Sequence, residues 1–247
     1  MEQESFPVIV SASRATDLPA FHGDWFAKSL SDGSCLWRNP FNNRIIKVSF
    51  SKTRFFMFWS KNPAPFLRFL PELDAKGYGY YFQFTLNDYE AERMEPFVPP
   101  IAERIETFKR LSDLIGPNRV IWRFDPIALS DSLPPEAILE RISRLAKSLE
   151  GYTNKLVVSF IDIGKYRTPK RNLPSFHEPT EAEIEKLAVG LSEIGSAQNL
   201  ELATCAEHVN LELYGIQHNS CIDGKLIASI SPNDGELQNY LSSVKKD

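Results

Sequence analysis

The stretch VIWRFDPIALS (residues 120–130) begins with apolar residues, and charged residues follow them. Its apolar residues predict a strand inside the protein, and Arg123 and Asp125 follow where the apolar run ends. Because the two are two residues apart, a strand would place them on one face. Either they form a structural ion pair or they present charge to a ligand. Pro126 is predicted to stop sheet pairing as the chain leaves the sheet.

The same pattern of a β-rich run followed by a helical segment recurs along the chain. Near-continuous apolar strands alternating with amphipathic helices are typical of a parallel sheet covered on its faces. One helix is signalled by Thr180 and Glu183, which form a capping-box pattern. Apolar stripes for three helices are formed by Ile101, Ile105, Phe108, Leu111 and Ile115; by Ile138, Ile142, Leu145 and Leu149; and by Ile184, Leu187, Leu191 and Ile194. The six β-rich runs are residues 7–13, 54–62, 80–88, 119–126, 155–163 and 200–207.

Six such units without a glycine-rich phosphate fingerprint favour one α/β domain over residues 1–247. The predicted architecture is a (β/α) barrel or a partial (β/α)6 TIM-like barrel. Residues 34–50, SCLWRNPFNNRIIKVSF, predict a β-hairpin inserted at the rim, because two β-rich runs flank a turn-rich centre. Residues 163–179 form a long basic segment with prolines, which predicts a mobile loop or a lid.

The composition narrows the class of protein. The formal net charge of −4 gives no global electrostatic footprint for nucleic acid, so any polyanion site must be local. No apolar run approaches the roughly 20 residues of a membrane span, and the N-terminus has no signal-peptide pattern, so a cytoplasmic protein without membrane contact is expected. The three cysteines are widely spaced, which fits a reducing compartment better than a disulfide framework.

Polar side chains cluster where the predicted strands end, which in a barrel is the mouth that carries the site. The predicted catalytic residues are Asp125, Glu207 and Lys61, and the predicted ligand-binding residues are Ser13, Arg14, Asp17, Trp37, Arg38, Asn39, Asn62, Gln83 and Arg123. Further strand-end polar residues are Ser11, Asn87, Ser159 and Thr204.

Several of these residues have an equally good structural interpretation. Asp17 is suited to cap a helix before Pro19. Lys61 could simply end a strand, and Trp37 could form a hairpin tip or stack on a planar ring. Cys205 and Cys221 are typical of small buried residues, because two thiolates do not complete a cluster site. The four histidines show no metal-ligand spacing.

Several long strings in this order resemble the bacterial family catalogued as domain of unknown function 1848, over nearly the whole chain. They are VSASRATDLPAF, CLWRNPFN, FWSKNPAPFL, YYFQFTLNDY, PPIAERIETFKRL, GPNRVIWRFDPI, LATCAE and CIDG. The resemblance implies a likeness to radical S-adenosylmethionine enzymes, whose partial barrel it shares. In that family a C-terminal Cys-x-x-x-Cys-x-x-Cys segment, preceded by a Cys-x-Cys pair, would hold iron–sulfur clusters.

This sequence departs from the family pattern because it contains neither cysteine motif and stops at LSSVKKD. By resemblance, Cys205 and Cys221 would be metal ligands only if completed by ligands absent here. A [4Fe–4S] cluster and S-adenosylmethionine are expected only if the natural chain extends beyond Asp247. The alternatives are a truncated enzyme and a short relative that lost the iron.

Two functions therefore remain open. The first is an enzyme that binds an anionic small molecule, with nucleotides or nucleic acid expected by analogy. Arg14, Lys61 and Arg123 would hold the anion, and Asp125 and Glu207 would orient groups or move protons. The second is a cluster-free module that binds a ligand or a protein partner through the rim around Trp37 and the basic loop at 165–171.

Overall fold

The computed structural model describes residues 3–40, 42–162, 175–205 and 209–244, which form a mixed α/β protein. The strands are β1 (Gln3–Ser5), β2 (Ile9–Ser11), β3 (Ser34–Arg38), β4 (Ile45–Ser49), β5 (Phe55–Ser60), β6 (Gly79–Thr85), β7 (Val120–Ile127), β8 (Leu129–Ser130), β9 (Lys155–Phe160), β10 (Phe176–His177), β11 (Glu201–Cys205) and β12 (Ile216–Asn219). The helices are α1 (Leu18–Phe21), α2 (Gly23–Asp32), α3 (Leu70–Ala75), α4 (Ile101–Ile115), α5 (Pro135–Ser148), α6 (Glu181–Gln198), α7 (Gly224–Ile230) and α8 (Gly235–Ser243).

The chain forms two compact units, of which the first comprises Met1–Phe84 and Ile222–Asp247. Its parallel strands β2, β5 and β6 lie side by side in that order. A second sheet contains the predicted hairpin, with β3 and β4 antiparallel, and β1 pairs in parallel with the other edge of β4. The hairpin prediction for residues 34–50 is therefore confirmed, whereas the pairing of β1 was not predicted.

Phenylalanine rings form the core of the first unit on one face of β5 and β6. Phe56 and Phe58 from β5, together with Phe82 from β6, point to this face because side chains alternate along a strand. Phe26 of α2 contacts Phe56 and Phe58 edge-on, with ring centroids 5.3 and 5.4 Å apart. Phe66 packs on Phe58 and Phe82. The opposite face carries the polar residues Ser11 and Gln83 together with Met57, Trp59 and Tyr81.

The second unit comprises Thr85–Cys221 and contains parallel strands in the order β7, β9, β11, β12. Helices α4, α5 and α6 have the predicted apolar stripes, and Phe108, Ile142 and Leu187 are fully buried. Thr180 and Glu183 form the predicted capping box at the start of α6. The short strands β8 and β10 pair antiparallel.

Three details of the predicted strands were wrong. β12 is a seventh parallel strand where six were predicted, and most of the predicted runs were too long at their ends. Pro126 does not end the pairing of β7. The ladder with β9 is interrupted after Phe124 and resumes where Ile127 pairs with Phe160.

Among the helices of residues 3–40, 42–162, 175–205 and 209–244, none has both the length and the apolarity that a membrane-spanning segment needs. The loop or lid predicted at residues 163–179 lies mostly outside the described residues. The assignment of residues 1–247 to one domain stays a prediction.

Candidate functional site

A polar network lies on one face of the parallel sheet in the second unit. Arg123 of β7 pairs in register with Val157 of β9, which in turn pairs with Ala203 of β11. Side chains two residues further along these strands point to the same face, which therefore carries Asp125, Ser159 and Cys205. The helix-covered face instead carries apolar residues such as Trp122 and Phe124, both fully buried.

Asp125 is held by several donors. Arg123 donates to Asp125 Oδ2 from Nε at 2.9 Å and from Nη2 at 2.5 Å. The Ser159 hydroxyl donates to Asp125 Oδ1. The Asn87 side chain accepts from the Asp125 N–H at 2.9 Å and donates to its carbonyl at 3.0 Å. Both carboxylate oxygens are therefore engaged.

Arg123 is only 1% exposed. Burial opposes its charge, but the nearby Asp125 carboxylate and the Cys205 thiol outweigh that effect and raise the pKa of Arg123. Arg123 and Asp125 form an ion pair, which was one of the two interpretations that the sequence left open. Arg123 lies inside the unit, so any ligand that it contacts must reach a buried group.

The polar network also includes the thiols of Cys205 and Cys221. Arg123 also hydrogen-bonds Cys205, whose sulfur lies 3.9 Å from the sulfur of Cys221. Cys205 is 5% exposed, whereas Cys221 is exposed. Burial raises the pKa of the Cys205 thiol, and the Arg123 guanidinium partly opposes this rise. Apart from the family resemblance, the sequence pattern did not bring these cysteines together because it missed β12, which places Asn219 beside Cys205 and Cys221 two residues further on.

A second polar group lies in the first unit, at the carboxyl ends of β2 and β5. The main chains meet where the Ala12 N–H donates to the Met57 carbonyl at 2.9 Å. Asp17 caps α1 by accepting from the Ala20 N–H at 3.1 Å, and its other oxygen accepts from the Lys61 N–H at 2.8 Å. The predicted helix cap is therefore confirmed, and the Asp17 carboxylate also fixes the end of β5.

Ser13, Arg14 and Asn62 lie close to that junction in the chain, and Gln83 lies on the neighbouring strand β6. Arg14 is exposed and forms no ion pair with any described residue. The Ser13 hydroxyl oxygen is buried without a hydrogen-bond partner among the described residues. Asn62 is half-buried and accepts from the Ala64 N–H at 3.3 Å. Gln83 is 2% exposed, and its amide nitrogen lies 3.1 Å from the sulfur of Met57.

Comparison with known proteins gives a family. The sequence pattern described as Domain of unknown function (DUF1848) matches residues 9–246. This chain belongs to that family. No curated protein and no solved structure matches the chain. Membership in DUF1848 thus confirms the resemblance found in the sequence without assigning an activity.

Three other predicted residues of this DUF1848 protein belong to the hairpin of the first unit. Trp37 and Arg38 are exposed on β3, Trp37 by 37%. The Asn39 N–H donates to the Arg44 carbonyl at 2.8 Å, which closes the hairpin. Glu207 lies outside the described residues. In the part of the chain that the structure describes, no three His, Cys, Asp or Glu side chains are grouped as a metal site.

Proposed function

We propose that this protein is an enzyme that binds an anionic small molecule at the carboxyl ends of β2 and β5. The observation that carries the proposal is the junction of Ser13, Arg14, Asp17 and Lys61, where a buried hydroxyl without a described partner sits beside an exposed arginine. Phosphate and carboxylate groups take hydrogen bonds from such hydroxyls and charge-assisted bonds from such cations. Nucleotides are the preferred substrate class.

The electrostatics of the junction favour an anion. Asp17 has the only carboxylate in the segment 11–17, and its two oxygens accept from the backbone N–H groups of Ala20 and Lys61. That carboxylate is therefore committed to the backbone and is not paired with the Arg14 guanidinium. A ligand anion at this junction would meet the positive charges of Arg14 and Lys61 and the hydroxyl of Ser13.

The finer fold prediction, a partial TIM-like barrel, belongs to the same proposal. It is supported by the parallel strands of each unit and by the helices that follow most of them in the chain. Barrel enzymes place their sites at the carboxyl ends of the strands, which is where Lys61 and the Asp125 network lie on their own strands. In the second unit, Asp125 is half-buried and its carboxylate is held by Arg123 and Ser159.

An iron–sulfur cluster is a poor fit to the described residues. Such a cluster needs about four ligands, and Cys205 and Cys221 supply two. No third potential ligand joins them in the ranges 3–40, 42–162, 175–205 and 209–244. No catalytic step is therefore assigned to a cluster, and radical chemistry remains only an implication of the family resemblance.

Calorimetric titration with inorganic phosphate, pyrophosphate and adenosine monophosphate tests the anion site. Arg14→Ala and Lys61→Ala should each weaken binding of the best of these probes at least about tenfold, because a charge-assisted hydrogen bond contributes about 1.5–3 kcal/mol. The thermal midpoint should stay unchanged. Ser13→Ala should weaken binding without loss of stability.

The matched control is Arg110→Ala, which removes an exposed arginine from α4 in the other unit and should leave binding unchanged. Equal affinity in all four variants and the parent would contradict an anion site at this junction. Binding without conversion of any tested nucleotide would favour the alternative, a ligand-binding or partner-binding module.

A further inference from the structure

Cys205 and Cys221 are the only pair of thiols that the described residues bring together, with their sulfur atoms 3.9 Å apart. The distance is longer than the disulfide bond of about 2.05 Å. Closing it requires one sulfur to move by roughly 2 Å. Cys221 can supply this movement because it is exposed and lies beyond Asn219, the last residue of β12.

We propose that Cys205 and Cys221 form a redox couple that a small-molecule disulfide oxidises to an intrachain disulfide. This inference is independent of the proposed anion site, which lies in the other unit. It assigns Cys221 as the attacking cysteine and Cys205 as the resolving cysteine.

The surroundings of the two thiols set this order. An oxidant in solution meets Cys221 first, since Cys205 is 5% exposed. The Cys205 sulfur lies 3.9 Å from the Cys221 sulfur and is therefore placed to attack a mixed disulfide that forms on Cys221. Arg123, which hydrogen-bonds Cys205, then stabilises the thiolate as it forms. Arg123 acts here as a positioning residue.

The exchange proceeds in two displacements. The Cys221 thiolate attacks one sulfur of the oxidant, forming a mixed disulfide and releasing one thiolate of the oxidant. The Cys205 thiolate then attacks the Cys221 sulfur, forming the intrachain bond and releasing the second thiolate. Two protein thiols are oxidised, one disulfide is reduced to two thiols, and the two cysteine protons end on those thiols.

The test uses the full chain carrying Cys35→Ser, which leaves Cys205 and Cys221 as its only cysteines. The reduced protein is incubated with glutathione disulfide, quenched with N-ethylmaleimide and analysed by intact mass and peptide mapping. The expected product is a single chain that has lost two hydrogens, carries no maleimide and yields a linked Cys205–Cys221 peptide. The unmodified parent should form the same link, which controls for the Cys35 substitution.

Two further variants test the order of attack. Cys205→Ser should accumulate one stable glutathione adduct on Cys221. Cys221→Ser should acquire an adduct on Cys205 at least tenfold more slowly. Thermal midpoints measured in reductant show whether each variant is folded. The peptide map of the Cys35→Ser chain does not depend on the folding of these two variants.

Three results would overturn the proposal. The Cys35→Ser chain could keep a glutathione adduct on Cys221 while Cys205 remains free to react with maleimide. The disulfide could join two chains instead of one. Both thiols could remain unmodified at an oxidant concentration that fully oxidises a model dithiol.

Discussion

Arg123 is a buried cation whose charge is balanced by Asp125 of the same strand. We predict that Arg123→Ala lowers the free energy of unfolding by about 3–5 kcal/mol, because it leaves the Asp125 carboxylate without its partner. Asp125→Ala should cost a similar amount, and the double variant should cost less than the sum of the two. Urea unfolding at neutral pH measures all three.

Arg110→Ala, at an exposed position of α4, is the control and should change stability by no more than about 0.5 kcal/mol. If Arg123→Ala proved as stable as this control, the ion pair would contribute little. Arg123 would then be a better candidate for ligand binding than for stability.

The sequence predicted that Arg123 and Asp125 share a face, because that follows from the two-residue period of a strand. It could not predict that both oxygens of Asp125 are engaged. The additional partners, Ser159 and Asn87, lie 34 and 38 residues away in the chain. Only the register of neighbouring strands brings them together, so the sequence could not predict these contacts.

The segment between β6 and α4 is joined to helix α5 by an ion pair between Arg141 and Glu92. Arg141 donates from Nη1 and Nη2 to the two carboxylate oxygens of Glu92, both at 2.8 Å. These hydrogen bonds lower the pKa of Glu92. Because the folded-state pKa is below the unfolded value of about 4.3, the stabilisation is fully present above that value and is lost as the pH falls through the folded-state pKa.

We therefore predict that Glu92→Gln reduces the acid sensitivity of the protein. The free energy of unfolding of the variant should fall less steeply than that of the parent between about pH 5 and pH 3. Urea unfolding at several pH values gives the two slopes. Glu103→Gln, an exposed position on α4, should keep the slope of the parent. Identical slopes for Glu92→Gln and the parent would show that the Arg141 contact does not persist in solution.

The elements that the sequence predicted are those with a strong period or a local cap. The apolar stripe of α4 and the capping box at Thr180 depend only on neighbours within a turn or two. β12 was missed because its four residues, IQHN, are mostly polar and it pairs on one side only, with β11. Such a strand has neither the apolar run nor the alternation that sequence reasoning uses. Its omission also hid the approach of Cys221 to Cys205.

The first compact unit of the molecule is built from two stretches that are far apart in the chain. Ile222–Asp247 belongs with Met1–Phe84. In this unit the Arg54 side chain donates to Asp234 at 2.8 Å, which joins residues 180 positions apart. Periodicity along the chain carries no signal for such a contact. The α/β class was therefore predictable, whereas the membership of each unit was not.

The net charge of −4 bears on the size of the ligand. Arg14 and Lys61 can balance one or two phosphates, but each further phosphate of a longer strand would meet a protein of the same charge sign. We predict that a single-stranded oligonucleotide binds no more tightly than adenosine monophosphate. The slope of log affinity against log salt should be about −0.7 to −1.4, which corresponds to one or two phosphate contacts.

Fluorescence anisotropy can measure the affinity for labelled oligonucleotides of increasing length, in competition with unlabelled mononucleotide. Repeating it at several salt concentrations gives the salt slope. Arg14→Ala should reduce the slope because it removes one of the two cations. A steady rise of affinity with length, together with a slope steeper than about −3, would require at least four phosphate contacts. Two cations cannot supply those contacts, so the ligand would then be a nucleic acid bound along an extended basic surface.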